Sequence, residues 1–267
     1  MDQSDLPHPA LAALLRDPSA TAIVADYDGT LSPIVEDPDE ARPVEGTVEV
    51  LGRLAAAFGV VAVVSGRRLA FLLDQLRGAP PSVRMVGLYG LEWSGPDGTV
   101  IDPAARSWVP VVEEVADRLR SAAPPGVRVE DKQFGVTVHW RRAPDMASWA
   151  ESTVRHEADR SGLRAQLGKM AIELRLPLEV DKGTALRELI APCSAACYLG
   201  DDTGDLPAFA ALTEAAKRGM ATVSVAVVGA DTPPQVTEAV DFTLGGPEEA
   251  LDLLRRLAEQ AERRLPA

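Results

Sequence analysis

Two aspartates one residue apart, in Asp26-Tyr27-Asp28-Gly29-Thr30, follow directly on the apolar run Ala22 to Ala25. Side chains two apart in an extended segment point the same way, so both carboxylates face one small volume. Two anions held together need compensation, and a divalent cation supplies it. Hard oxygen donors favour Mg²⁺, which is held by one or two carboxylates and completes its shell with phosphate and water. Taken alone, the same Asp-x-Asp-Gly also reads as a turn, because Asp and Gly both favour turns. A second acidic run, Gly200-Asp201-Asp202-Thr203-Gly204-Asp205, decides between the two readings. It too follows a buried apolar run, so Asp201 is expected at the same sheet edge as Asp26, making a metal site. Asp202 or Thr203 can at the same time cap a helix, with Asp205 favouring its dipole.

An anionic substrate at such a site needs local positive charge. Lys182, in Asp181-Lys182-Gly183-Thr184, stands just before a helix with Ala185, Leu186, Leu189 and Ile190 on one face. It can neutralise a phosphate there. Ser65 and Arg67, at the end of the run Val60 to Val64, offer a hydroxyl and a guanidinium to phosphate or sugar oxygens.

The elements that must position these residues follow from the apolar pattern. Runs at Ala22–Ala25, Val60–Val64, Val83–Val86, Ala196–Leu199 and Val223–Val228 alternate with segments of helical period, the pattern of a parallel sheet flanked by helices. Each run ends in polar or glycine residues, where ligands bind in open α/β sheets. Val48, Leu51, Leu54, Ala55 and Phe58 predict a helix that Gly59 terminates. The middle of the chain changes to a period of two. Val127, Val129, Val136, Val138 and Trp140 alternate with Arg128, Glu130, Lys132, Thr137, His139 and Arg141. Met170, Ile172, Leu174 and Leu176 alternate with Lys169, Ala171, Glu173 and Arg175. Half-exposed antiparallel strands are expected there. With helices predicted over 108–122 and 147–161, residues 102–178 form an α+β insert, and 1–101 with 179–267 form the core.

At 267 residues the chain can bury one large core with a smaller inserted unit. Its two cysteines, Cys193 and Cys197, lack zinc spacing and are too few for a disulfide framework, so both are expected as buried small apolar residues. The acidic, proline-containing start lacks a secretory pattern, and no apolar run reaches about 18 residues, so a cytoplasmic protein is expected. A formal charge of -13 disfavours nucleic acid and anionic membrane as partners. A monomer is the expected state.

The ordered series Asp26-Tyr-Asp-Gly-Thr-Leu-Ser-Pro-Ile34, Ser65-Gly-Arg67, Gly87-Leu-Tyr-Gly-Leu-Glu92, Asp181-Lys-Gly183 and Gly200-Asp-Asp202 resembles the haloacid dehalogenase superfamily. Within it the chain is most similar to trehalose-6-phosphate phosphatases, from about Ala22 to Asp205. The resemblance implies a Rossmann-like core with an inserted α+β cap, and Mg²⁺-dependent hydrolysis of a sugar phosphate. Asp26 would be the nucleophile, forming an aspartyl-phosphate, and Asp28 the acid and then the base. Asp26, the Asp28 carbonyl and Asp201 would hold the metal, with Asp205 or Asp202 acting through water. Thr30, Ser65 and Lys182 would hold the phosphoryl oxygens.

In the insert, Glu130-Asp-Lys132, His139-Trp-Arg141 and Ile172-Glu-Leu-Arg-Leu-Pro177 resemble that family's sugar-binding cap. Glu130, Lys132, His139, Arg141 and Glu173 lie on the polar side of their strands, where they could bind hydroxyls; a plain solvated sheet face has the same pattern. The family commonly follows Gly-Asp-Asp with x-Thr-Asp-Glu, whereas Thr203-Gly204-Asp205-Leu206 stands here. That departure leaves open another disaccharide or pseudo-disaccharide phosphate as substrate. An inactive sugar-phosphate-binding module is the alternative from a different class, and the gathering of Asp26, Asp28, Lys182 and Asp201 argues against it.

Overall fold

The computed structural model describes residues 6–35, 37–168, 170–229 and 232–264. Lys169 of the predicted alternation lies outside them. The chain divides into two compact units, one made of Met1–Val100 with Val180–Ala267, the other of Ile101–Glu179.

The first unit begins with α1 (Leu11–Leu14), β1 (Thr21–Ala25), α2 (Thr47–Ala57), β2 (Val60–Val64), α3 (Leu69–Gln75), β3 (Val83–Gly87), β4 (Glu92–Gly95) and β5 (Gly98–Ile101). The second unit contains α4 (Pro103–Arg106), α5 (Val109–Ala122), β6 (Arg128–Asp131), β7 (Gly135–His139), α6 (Ala147–Ser161), β8 (Arg164–Gly168) and β9 (Ala171–Arg175). The chain then completes the first unit with α7 (Lys182–Ile190), β10 (Ala195–Gly200), α8 (Leu206–Lys217), β11 (Ala221–Val227), α9 (Pro234–Glu238), β12 (Phe242–Leu244) and α10 (Pro247–Glu262).

The large sheet runs β12-β11-β10-β1-β2-β3-β4-β5. Every pairing from β12 to β3 is parallel, and β4 turns back antiparallel on β3. Strands covered on both faces read as continuous apolar runs, and β1, β2 and β10 are buried at every position. Ile23, Val61, Val63, Leu199 and Val225 pack on one face with α1, α2, α3 and α10. Ala22, Val24, Ala62, Val64 and Tyr198 pack on the other with α7 and α8. The result is an α/β fold with a mostly parallel central sheet.

The position of β1 matters most. From it the chain moves outward through β2 and β3 in one direction, and later through β10, β11 and β12 in the other. Such a reversal opens a crevice at the carboxyl ends of the two adjoining strands. Ala25 is in register with Leu199, and Asp26 N–H extends the ladder by donating to the Leu199 carbonyl at 2.9 Å. Asp26 and the Gly200–Asp201 turn therefore leave the sheet side by side.

The α2 helix covers the predicted segment, with two differences. Its buried face is Thr47, Val50, Leu51, Leu54 and Ala57, whereas Val48 and Ala55 only flank the core. Gly59 does not end the helix through a left-handed turn, because Phe58 is already extended. A Cβ on Gly59 would lie 2.0 Å from the Ser19 carbonyl oxygen, so glycine is needed for close approach of the chain. Cys197 is fully buried as expected, but Cys193 is only half-buried.

The second unit has a four-stranded antiparallel sheet, β6-β7-β9-β8, with α5 and α6 packed on it. Val136, Val138, Ile172 and Leu174 join Val112, Val115, Leu119 and Val154 as its buried apolar residues. Arg118 donates to Glu157 Oε2 from Nε and Nη2 at 3.0 and 2.7 Å, linking α5 to α6. Among the described residues no helix is long and apolar enough to cross a membrane.

Candidate active site and metal centre

The turn after β1 shows how Asp26-Tyr27-Asp28 divides its side chains. Tyr27 is fully buried, with its ring edge-on to Phe71 at 5.6 Å, while Asp26 and Asp28 line a cleft of about 290 Å³. The Tyr27 carbonyl accepts from the amides of Leu31 and Ser32, both at 2.9 Å, and Gly29 donates to the Ser32 carbonyl at 2.7 Å. Gly29 has φ +75°, and a Cβ there would lie 2.0 Å from Asp201 Oδ2. Glycine thus does two things: it permits the left-handed turn and lets the Asp201 carboxylate lie against the backbone beside Asp26.

Lys182, only 4 % exposed, is the buried cation of this cleft. It begins α7, whose preceding Asp181 closes a capping box with Thr184. Its Nζ lies 3.0 Å from Asp26 Oδ2 and donates to Asp205 Oδ1 at 2.7 Å. Ser65 and Arg67 reach the same cleft from the end of β2. The Arg67 guanidinium forks onto Asp28, Nε to Oδ2 at 2.9 Å and Nη2 to Oδ1 at 2.8 Å, and lies 4.7 Å from the centre of the Phe71 ring. The paired carboxylate pushes the guanidinium further toward its charged form.

Asp205 is fully buried, and four protein donors reach its carboxylate. Lys182 Nζ and Tyr198 Oη donate to Oδ1 at 2.7 and 2.6 Å; the amides of Asp201 and Asp202 donate to Oδ2 at 2.9 and 3.1 Å. Asp202 is exposed and caps the following turn by accepting from Gly204 N–H at 2.8 Å.

Asp26, Asp201 and Asp205 each offer a carboxylate oxygen, all within 4.8 Å of one another. Hard oxygen donors at this spacing fit a divalent cation such as Mg²⁺. Because the four donors already occupy Asp205, the carboxylates left to bind a cation directly are those of Asp26 and Asp201. The protonation behaviour agrees with this. Burial, then the neighbouring Asp205 and Asp201, raises the Asp26 carboxyl well above its ordinary range, with Lys182 opposing. Burial, then Asp205 and Asp202, pushes Asp201 up to about 7. Burial disfavours charged Lys182, but Asp26 and Asp205 outweigh it and its affinity for the proton rises.

A pH dependence follows. Asp201 holds its proton in the folded chain up to about pH 7, whereas its ordinary value is 3.8. Between those values the folded state binds more protons than the unfolded state, so stability falls as pH rises through the window. A divalent cation replaces the proton. In a metal-free sample Tm is expected to decline from pH 5 to pH 8, and added Mg²⁺ to raise it more at pH 8 than at pH 5. Thermal melts across that range check this, and a Mg²⁺ shift of equal size at both ends would place the cation elsewhere.

The structure brings together Asp26, Asp28, Ser65, Arg67, Lys182, Asp201 and Asp202 around one cleft, with Asp205 directly behind it. Thr30 is different: its hydroxyl is fully buried, has no hydrogen-bond partner, and is not among the groups lining the cleft. In the second unit, His139 Nε2 and Glu130 Oε2 are 2.9 Å apart, and Lys132 Nζ donates to Glu173 Oε1 at 3.3 Å. Thr137 is in register with both Glu130 and Glu173, and its buried hydroxyl has no partner. Arg141 does not continue this face, because β7 ends at His139 and Arg141 is exposed in the following turn.

Three residues at the site carry no role in the sequence reading. Tyr198 lies within an apolar strand, and nothing in its spacing signals the bond to Asp205. Tyr89 and Ile34 line the cleft, and only their places inside the motifs Gly87–Glu92 and Asp26–Ile34 mark them.

Comparison with known proteins agrees with this arrangement. The trehalose-phosphatase family model matches residues 24–241. The trehalose-phosphate phosphatase of Mycobacterium marinum is 38 % identical, over 96 % of this chain and 67 % of that protein. The corresponding protein of Mycobacterium avium is 39 % identical, over 91 % of this chain and 63 % of its own length. The chain thus spans about two thirds of the length of these curated relatives. A solved structure of Aspergillus fumigatus trehalose-6-phosphate phosphatase superimposes with a TM-score of 0.67 at 25 % identity, covering 95 % of this chain and 99 % of that one. Matched from within β1 to the residue before β12, the chain belongs to the trehalose-phosphatase family.

Proposed function

We propose that this chain hydrolyses the phosphate monoester of a sugar phosphate, with trehalose 6-phosphate as substrate, through a covalent intermediate on Asp26. The observation that carries the reading is the Asp26 carboxylate, 3 % exposed, held 3.0 Å from the buried Lys182 ammonium in a cleft that Asp201 also lines. Such a carboxylate is fixed in direction and sits where an incoming dianion finds a neutralising charge. An Asp26 oxygen bonds to phosphorus as the phosphorus–sugar oxygen bond breaks, and Asp28 delivers a proton to the departing sugar oxygen. Asp28 then removes a proton from water, which displaces Asp26 from phosphorus and releases phosphate.

Arg67 fits both steps. Asp28 can transfer a proton only when one of its oxygens leaves the guanidinium fork, and the freed N–H can take a phosphoryl oxygen instead. Lys182 and Ser65 hold the remaining phosphoryl oxygens. Mg²⁺, held by Asp26 and Asp201 with the Asp28 carbonyl, supplies further charge neutralisation when bound. Asp205 serves by fixing Lys182 and the Asp201–Asp202 turn. The insert residues Glu130, Lys132, His139 and Glu173 are assigned to the sugar hydroxyls.

Phosphate release from a panel of trehalose 6-phosphate, sucrose 6-phosphate and glucose 6-phosphate, with Mg²⁺ and with EDTA, tests the reading. Trehalose 6-phosphate is expected to turn over fastest, and EDTA to abolish release. Equal or faster turnover of another sugar phosphate removes trehalose 6-phosphate as the substrate, and no release from any of them leaves the inactive binding module.

A further inference from the structure

The groups lining the cleft are ionic or small, except for Ile34 and Tyr89. Asp26, Asp28, Ser65, Arg67, Lys182 and Asp201 suit a phosphoryl group and a cation. A phenol and an aliphatic side chain do not; they suit an uncharged ring with apolar C–H faces and hydroxyls. We infer that Tyr89, with Ile34 on the same cleft, is the part of the core unit that touches the sugar of the substrate, which adds a specificity-determining contact to those assigned to the insert. The inference rests on the sugar-phosphatase reading.

The backbone around Tyr89 is built to aim that ring. Leu88 and Tyr89 both have left-handed φ, 48° and 61°. Two consecutive non-glycine residues in that region are strained and persist only where the surroundings hold them. Two hydrogen bonds hold these: Leu88 N–H donates to the Arg67 carbonyl at 2.8 Å, and Tyr89 N–H to the Ser65 carbonyl at 3.0 Å. The loop is thereby pinned to the residues that line the phosphoryl side of the cleft. Gly66 and Gly87 make the interlock possible. A Cβ on Gly87 would lie 2.4 Å from the Leu69 amide nitrogen, and one on Gly66 would lie 2.5 Å from the Tyr89 hydroxyl oxygen and 2.6 Å from Cζ. Gly66 is not in the left-handed region, so room for the Tyr89 ring accounts for its lack of a side chain. Ile34, 69 % exposed, offers the apolar surface on the same cleft.

The test compares kcat/KM for trehalose 6-phosphate with that for acetyl phosphate, which has the same phosphoryl group and no sugar. Tyr89→Ala is expected to lower the value for trehalose 6-phosphate about tenfold or more, with a loss on acetyl phosphate at least five times smaller. Tyr89→Phe keeps the ring and is expected to fall between Tyr89→Ala and the unmodified chain. Gly66→Ala displaces the ring without altering it and is expected to show the same discrimination. Equal losses on both substrates, or no loss on trehalose 6-phosphate in a variant whose melting temperature is unchanged, overturn the inference. An unmodified chain that hydrolyses acetyl phosphate and leaves trehalose 6-phosphate intact rejects the substrate reading, and this inference with it.

Discussion

Asp26→Asn is expected to lower phosphate release at least about 10⁴-fold while the chain stays folded, because removal of a nucleophile leaves only binding and charge stabilisation. The substitution is nearly isosteric, and it takes one negative charge from a cluster where burial, Asp205 and Asp201 already disfavour the ionised form. The ion pair with Lys182 is lost, but Lys182 keeps Asp205 at 2.7 Å. Stability should therefore change little, and in metal-free buffer above pH 7 Tm should not fall. Phosphate release, melting temperature and transfer of labelled phosphate to protein check this together. Turnover near the unmodified level in a folded Asp26→Asn chain would remove the covalent mechanism.

Lys182→Met carries the second large effect, and it acts on stability as well as chemistry. Methionine fills much the same volume, but Asp26 and Asp205 lose the ammonium that lies 3.0 and 2.7 Å away. Removing one partner of a buried ion pair costs about 3–5 kcal/mol, since the charge left behind remains desolvated. For a chain of this size that is a fall in Tm of about 6–20 °C. Without the ammonium the Asp26 carboxyl takes its proton at still higher pH. The deficit should then be largest above pH 7 and shrink as the pH is lowered and Asp26 becomes neutral. Turnover should fall by about 10²–10³-fold or more, the usual loss on removing one group that stabilises developing charge. Adding Asp26→Asn to Lys182→Met should recover part of the lost Tm and none of the activity, because it removes the stranded charge but not the chemical defect. Equal melting curves at pH 5 and pH 8 for Lys182→Met would show that the lysine is not the counter-charge of this cluster.

Both expectations begin with elements that local sequence specifies well. A strand buried on both faces must be largely apolar, so Val60–Val64 and the runs around Ala22 and Ala196 are visible as uninterrupted stretches, while those around Val83 and Val223 remain legible despite Arg84 and Ser224. The α6 helix, Ala147–Ser161, coincides with its predicted range. The departures have physical causes of longer range. Gly59 reads as a helix terminator, but its need for a bare Cα comes from the Ser19 carbonyl, forty residues earlier. Arg141 fits the alternation of β7 by counting, but the strand stops two residues before it.

Sequence by itself determined the α/β class and five of the eight strands of the central sheet, because burial on two faces and polar residues at strand ends leave a local pattern that needs no partner to be read; the family was legible in the resemblance of its motifs. It also placed Asp26 and Asp28 on one side of their turn, a consequence of backbone geometry alone. Only the tertiary structure decided how the charges are shared: the Arg67 fork on Asp28, the four donors around Asp205, the buried Thr30 hydroxyl and the pinned Tyr89. The Arg67 fork, the Lys182 bond to Asp205 and the Tyr89 bond to the Ser65 carbonyl join segments 23 to 39 residues apart, and bonds of 2.7–3.0 Å between them are set by how strands and helices pack, not by which residues neighbour them in sequence.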